Sequence, residues 1–296
     1  MKTNVLQSKH FREQLARYGT AIPLLLVSLL MIVPFLVMII TSLKTPIEVN
    51  EPVFTWIPRS WAFSNYPRAM SFGMWGRWFF NSIFVTGTVT LVSVFFNSLA
   101  GYAFARLDFR FRNALFIIMM ITLMMPRQVT MVTQFLVMKY WPLAGGNNII
   151  GQGGTGFVDT YPGLILNGLA GAFGVFLCRQ FYLNFPRALD DAAEIDGCSP
   201  IRRYWQIYVP LGKPVLASLG VLKFTFIWND YIWPLIITNS EKLKTVQLGL
   251  TIYRDEWVEW ELLMAMTTIV SLPLIVLFLA AQRFFIHGLI TSGVKG

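Results

Sequence analysis

The chain has 296 residues, of which 55% are hydrophobic and only 13% charged, and its net charge is +9. A soluble globule carries roughly 25% charged residues to meet water. This composition therefore excludes one and implies a protein whose outer belt faces lipid, with room for several membrane spans but for no large soluble domain besides.

A helix rises about 1.5 Å per residue, so a hydrocarbon core of ~30 Å takes about 20 apolar residues. The basic N-terminal stretch (Lys2, Lys9, Arg12, Arg17) leads into an apolar run from Thr20 to Ile40. That run is too long for the apolar core of a signal peptide, and no small-residue cleavage site follows it, so it is expected to stay as a first span. Further runs extend from Phe80 to Phe104, from Ala114 past Pro126 to Val137, from Tyr161 to Cys178, from Val215 to Ile237, and from Leu263 to Ile286. The predicted fold is an all-α integral membrane protein with six transmembrane helices. Its parts are an N-terminal segment 1–19, a membrane domain 20–286 and a tail 287–296.

Orientation follows from the loops. With both termini cytoplasmic, the inner segments hold 14 Lys and Arg against 6 acidic residues, whereas the outer loops carry 9 of each. Nearly all the positive excess then lies inside, as the positive-inside rule expects, and it needs no nucleic-acid partner. The two cysteines, Cys178 and Cys198, fall at or near the cytoplasmic side and are expected as reduced thiols; no His or Cys cluster suggests a metal.

Two outer loops are long. Thr41 to Phe79 is rich in Trp and Pro and is expected to contain an interfacial or short helical piece. Leu143 to Thr160 carries Gly145, Gly146, Gly151, Gly153, Gly154 and Gly156 and is expected to be turn-rich and mobile. No Gly-Lys-Ser/Thr follows it, so it is not a phosphate loop.

The segment 184–214 is too polar to span and too long for a turn. Pro186 can open a helix whose first turns are favoured by Asp190, Asp191 and Glu194 through the helix dipole. Ala192, Ala193 and Ile195 give it a small, flat surface, and Gly197 lets the chain reverse after Asp196. Ser199 can cap a second helix with Pro200 at its first position, running through Arg202, Arg203, Tyr204 and Trp205 and ending before Pro210. The outcome is a helix-turn-helix knob shaped to fit a partner's groove.

The pattern Asp191-Ala192-Ala193, Asp196-Gly197, then Pro210 and Pro214 resembles the EAA loop of bacterial ABC importer permeases. That resemblance implies a cytoplasmic coupling helix docked in a cleft of an ATPase subunit, with Asp191, Ala192, Ala193, Asp196, Gly197, Arg202 and Pro210 at the contact. The family usually has Glu where Asp191 stands, which implies docking with altered contact geometry. Trp228-Asn229-Asp230-Tyr231 with Trp233-Pro234-Leu235, Asn81-Ser82, and Gly101-Tyr102-Ala103-Phe104-Ala105-Arg106 are similar to the carbohydrate branch. The tail Ser292-Gly293-Val294-Lys295-Gly296 resembles the ending of the second permease of maltose-type transporters and implies that Lys295 lies between the ATPase subunits.

The resemblance further implies a bacterial inner-membrane location, a second permease, two ATPase subunits that bind ATP and Mg, an extracytoplasmic solute-binding protein and a carbohydrate cargo. No cofactor and no catalytic residue is expected on this chain. An importer for another small solute, or a secondary transporter, are the alternatives.

Charged groups inside predicted spans cost at least ~2.5 kcal/mol on insertion scales. Lys223 and Asp230 are seven residues apart and share a helix face. With Asn229 and Arg127 they are candidates for the substrate path; structural contacts are the competing reading. Arg127, about 20 Å into the third span, either pairs with the partner subunit or, with Lys223, meets an acidic cargo group such as a uronate carboxylate. Trp75, Trp78, Trp141 and Trp257 are expected in an interfacial aromatic belt, with sugar stacking as the alternative.

Overall fold

The computed structural model describes the backbone of residues 2–256 and 259–292 and the side chains of residues 19–255 and 259–282. Every regular element among these is helical. The chain forms two compact units, Met1–Phe72 with Glu256–Ile269 and Gly73–Asp255 with Val270–Gly296.

In the first unit, α1 (Lys2–Ser42) holds Pro23 and Pro34. From Gly19 to Ser42 it is long and apolar enough to cross a membrane, and no residue of its most apolar stretch is buried by protein. Such a surface is untenable in water and natural in lipid. Past it the chain folds back through the short helices Pro46–Val49 and Asn65–Ser71. The buried Asn65 amide donates to the carbonyls of Ser42 (2.9 Å) and Lys44 (2.8 Å), and the hydroxyls of Ser42 and Tyr66 meet at 2.8 Å. Arg68 pairs with Glu259 at 3.0 Å.

The second unit is built on α2 (Trp75–Arg106), followed by α3 (Arg112–Ile121), α4 (Arg127–Lys139), α5 (Tyr161–Leu166), α6 (Ala172–Leu183), α7 (Ala188–Ile195), α8 (Pro200–Arg203), α9 (Lys213–Trp228), α10 (Ile232–Ile237) and α11 (Val246–Glu256). The last helix, α12 (Trp260–Ser292), carries the chain from one unit into the other. Helix α2 packs along α6 and α9. The approach to α6 is close because position 101 lacks a side chain: a β-carbon on Gly101 would stand 2.6 Å from Cys178 Cβ and 2.9 Å from the Arg179 nitrogen. One apolar cluster gathers Val85, Val89, Met131, Met138, Leu164, Trp233 and Ile237; a second gathers Tyr102, Cys178, Tyr182, Tyr204, Tyr208, Val215 and Leu219.

Three of the six predicted spans are not continuous helices. The third bends by 107° between α3 with its 3₁₀ extension and α4. Pro126 lacks an N–H and drives Met125 into the extended region (φ −81°, ψ 123°), which ends the helix there. The fourth breaks between α5 and α6 at a segment containing Gly168 and Gly171. The fifth breaks after Trp228, where Asn229 closes α9 by donating its side-chain amide to Thr225 O (2.9 Å) and Asp230 opens α10 by accepting the Trp233 N–H (3.2 Å). Among the described residues, Gly19–Ser42, Trp75–Arg106 and Trp260–Gln282 are long and apolar enough to cross alone; the bent pairs α3/α4 and α8/α9 give two more if each counts once.

Other expectations are revised. The knob's second helix does not stop before Pro210. It passes through a π turn at Tyr204–Tyr208, whose wider spacing lets the Val209 amide reach Tyr204 O, and continues to Leu211 before a 79° bend into α9. Trp75 and Trp78 are buried within the protein rather than exposed on its surface, and the Trp78 indole donates to Glu241 O at 2.9 Å. Trp141 is partly exposed, and Trp257 lies outside the described residues. The glycine-rich loop is turn-rich, as expected, but it is organised around Asn147. The Asn147 amide donates to Lys139 O (2.9 Å) and Trp141 O (3.0 Å), and its oxygen accepts the Gly154 N–H (2.8 Å). Both cysteines are free thiols, Cys178 buried and Cys198 partly exposed.

Candidate functional site

At one end of the second unit the knob is gripped by α2. Ser98, Tyr102 and Arg106 follow one another at four-residue spacing and so lie on one face of the helix. Ser98 Oγ meets Tyr204 OH at 2.6 Å, and Tyr102 OH donates to Pro200 O at 3.1 Å. Arg106 donates to the carbonyls of Tyr182 and Phe185 and pairs with Asp190 at 3.1 Å. Asp190 also accepts from Tyr208 OH at 2.8 Å and lies 3.4 Å from Arg203. The side chains of Arg106 and Asp190 are 5% and 14% exposed, so the carboxylate sits between two guanidinium groups largely out of water.

This clamp leaves the other face of α7 open. Asp191, Ala192, Ile195, Asp196 and Gly197 are exposed, Ile195 to 87%, while Ala193 faces inward. The helix closes with Gly197 at φ +71°, where the Cys198 N–H reaches Ala193 O (2.8 Å) and the Gly197 N–H reaches Glu194 O (3.0 Å). These are the two bonds of a Schellman stop. Ser199 then caps α8 by accepting the Arg202 N–H at 3.4 Å. Arg202 and Pro210 are exposed alongside Ile201 and Trp205. Apolar surface held out on a rigid polar base is a docking face in its chemistry.

Away from the knob, the second unit encloses an open cavity of about 660 Å³. The breaks of all three interrupted spans meet on it. Met125 and Arg127 come from the first break, Asn167, Gly168, Ala170 and Gly171 from the second, and Asp230 from the third. Irregular backbone at membrane depth is tolerated where it lines such a space, because its freed amides and carbonyls cannot face lipid. Helix α2 adds the polar residues Ser82, Thr86 and Asn97. Arg127 and Asp230 form an ion pair, with Arg127 5.0 Å from the Phe226 ring centre. A polar chain runs from Thr130 to Gln134 to Asn167.

Of the four path candidates, Arg127, Lys223 and Asp230 line this cavity, and Asn229 does not; its side chain turns back onto α9. Arg127 finds its carboxylate within the chain rather than on a partner subunit. Lys295 lies outside the described residues. Sequence reasoning missed the clamp itself. It read Asp190 only as a dipole partner and Arg106 only as part of a motif, and no local pattern pairs two residues 84 positions apart.

A cavity that carries a few polar and charged groups, is bounded by broken helices and lies inside a body with an exposed apolar surface has the architecture of a membrane transport protein. The chain belongs to the family of binding-protein-dependent transport system inner membrane components, whose model matches residues 94–290. It is 31% identical over 289 residues to the arabinooligosaccharides transport system permease protein AraQ of Bacillus subtilis (strain 168), covering 96% of this chain and 98% of that one. It is 29% identical over 288 residues to the sn-glycerol-3-phosphate transport system permease protein UgpE of Agrobacterium fabrum, covering 94% and 97%. Its fold is similar to the crystal structure of a bacterial ABC transporter involved in the import of the acidic polysaccharide alginate, with a TM-score of 0.78, 21% identity, and 92% and 97% of the two chains covered.

Proposed function

We propose that this chain is a permease subunit of an ATP-driven, binding-protein-dependent importer of oligosaccharides. The cavity forms part of the translocation path, and the knob 184–214 is the joint on which two ATPase subunits act. The observation that carries the reading is the pairing of the two sites in one unit: helix α2 lines the cavity with Ser82, Thr86 and Asn97 and grips the knob with Ser98, Tyr102 and Arg106. A push on the exposed face of α7 is therefore delivered to a cavity wall through a single rigid helix, a rigid-body mode of transmission.

In this reading each interrupted span still makes one crossing, so the domain 20–286 crosses six times with both termini and the knob cytoplasmic. A second permease completes the path. ATP and Mg sit on the ATPase subunits, with Asp191, Ala192, Ala193, Asp196, Gly197, Arg202 and Pro210 at their cleft and Lys295 between them. The chain itself has no catalytic role. The oligosaccharide cargo is supported by the 31% identity to the arabino-oligosaccharide permease. The glycerol-phosphate relative keeps a second cargo class, a small organic phosphate, in view.

The test combines topology with energetics. In a Cys198→Ser background, Ile195→Cys should react with a membrane-impermeant maleimide in inverted vesicles and stay unlabelled in intact cells. Proteoliposomes holding both permeases, the ATPases and the binding protein should accumulate oligosaccharide only with ATP. Labelling from outside, or uptake without the ATPase subunits as a secondary transporter would give, overturns the reading.

A further inference from the structure

The charges on the cavity do not balance. Its described lining holds two cations, Arg127 and Lys223, and one carboxylate, Asp230. Arg127 and Asp230 satisfy one another. The Asp230 carboxylate is further engaged by the Trp233 N–H. Lys223 has neither an ion-pair nor a hydrogen-bond partner among the described residues, although it is mostly withdrawn from solvent. An ammonium at membrane depth without a counter-charge is costly and marks a functional position.

Its surroundings add to the imbalance. Lys223 Nζ and Asn97 Nδ2 stand 4.0 and 3.9 Å from where a β-carbon on Gly171 would lie. Gly171 precedes α6 and supplies no side-chain cap, and Gly171, Ala172, Phe173 and Gly174 all border the cavity. The ammonium thus looks onto the positive end of a twelve-residue helix. Asn97 is 3% exposed and uses one N–H on Ser93 Oγ at 2.8 Å. The side-chain atoms nearest Gly171 are thus an ammonium and an amide nitrogen, both beside the positive end of a helix, and Gly171 keeps the space between them free of a side chain.

We infer that the cavity receives cargo through an anionic group, a carboxylate or a phosphate ester, which docks on the Lys223 ammonium beside Asn97. This deepens the importer reading and rests on it. Arg127 is excluded as the primary receptor because Asp230 already neutralises it.

The experiment uses the complete importer with its binding protein in proteoliposomes. It compares ATP-driven uptake of a neutral oligosaccharide, an oligouronate of the same length and glycerol 3-phosphate by the wild type, Lys223→Gln and Lys223→Arg. A hydrogen bond to a charged group corresponds to about tenfold or more in binding. Lys223→Gln should therefore lower uptake of the anionic cargo about tenfold or more and leave any neutral cargo unchanged, and Lys223→Arg should retain most of the anionic uptake. Co-purification of Lys223→Gln and Lys223→Arg with the second permease and the ATPase subunits in wild-type yield shows that the variants assemble. A wild type that moves neutral oligosaccharide and refuses both anions overturns the inference and leaves the importer reading intact. So does an equal loss of neutral and anionic uptake in Lys223→Gln, the result expected if Lys223 pairs with a carboxylate of the second permease. Uptake of glycerol 3-phosphate alone supports the inference and overturns the oligosaccharide assignment.

Discussion

Arg106, in the last turn of α2, and Asp190, in the first turn of α7, meet at 3.1 Å across 84 residues of chain. The contact joins the long helix that lines the cavity to the knob whose outer face is exposed. Neither side chain can relax into water if the other is removed.

Asp190→Ala would leave Arg106 buried without a counter-charge, Arg203 with only the exposed Glu194 carboxylate at 3.9 Å, and Tyr208 without its acceptor. Breaking a buried pair from one side costs about 3–5 kcal/mol. Thermal denaturation of the purified complex should show a markedly lower Tm for Asp190→Ala, and a smaller drop for Asp190→Asn, which keeps an acceptor for the Tyr208 hydroxyl. Transport-linked stimulation of ATPase activity should fall in both. Two variants as stable as the wild type would show that the clamp holds nothing.

The same contact marks how far the sequence could be read. Apolar runs gave six candidate spans, and the stop at Gly197 with the cap at Ser199 followed from local rules because both are made within a few residues. The breaks in the third, fourth and fifth spans were hidden because apolar content is blind to backbone direction; Pro126, Gly168 and Pro234 were visible, but each is also compatible with a continuous span. Asp190 and Arg106 were hidden for another reason. Their pairing depends on packing α2 against α6 and the knob, and nothing local distinguishes Asp190 from Asp191. Only the fold turns one carboxylate inward and the other out.

Arg127 and Asp230 tie the first break to the third. Their coupling should be measurable by a double-mutant cycle with Arg127→Gln and Asp230→Asn. Contacting charges couple by about 0.5–3 kcal/mol, and the 34% exposure of the Arg127 side chain places this pair toward the lower end through solvent screening. Asp230→Ala should be worse than Asp230→Asn, because the alanine also removes the acceptor for the Trp233 N–H that starts α10. Additive single effects would mean that the two breaks are held independently.

Two glycines on α2 make a controlled comparison. A β-carbon at Gly87 meets nothing within 4 Å, whereas one at Gly101 collides with Cys178 and the α6 backbone at Arg179. Gly87→Ala should be neutral or stabilising by up to about 1 kcal/mol from helix propensity. Gly101→Ala should destabilise by about 1–3 kcal/mol, the usual range for overpacking, because the obstructing nitrogen belongs to a backbone and cannot swing aside. Denaturation of the two variants side by side decides it; similar midpoints would mean that α2 and α6 can separate freely.

Outside the spans, Glu48 provides a pH-dependent contact in the first unit. Its carboxylate accepts from the Thr55 hydroxyl at 2.7 Å and from the Arg59 amide at 3.2 and 3.3 Å. The Thr55 hydrogen bond above all, then the Arg59 amide and the charges of Lys44 and Arg59, hold it below the usual carboxylate range against the opposing effect of burial. A depressed pKa means that the folded segment binds the proton less readily than the open one. The stabilisation is therefore complete above the ordinary glutamate pKa of about 4.3 and is lost as pH falls through the lower folded value. Protection of the Arg59 amide against hydrogen exchange, corrected for intrinsic rates, should be constant from neutrality down to about pH 5 and then decline. In Glu48→Gln it should be weaker at neutral pH and insensitive to acid over the same window. Protection that rises on acidification would reverse the sign and remove Glu48 as the group responsible.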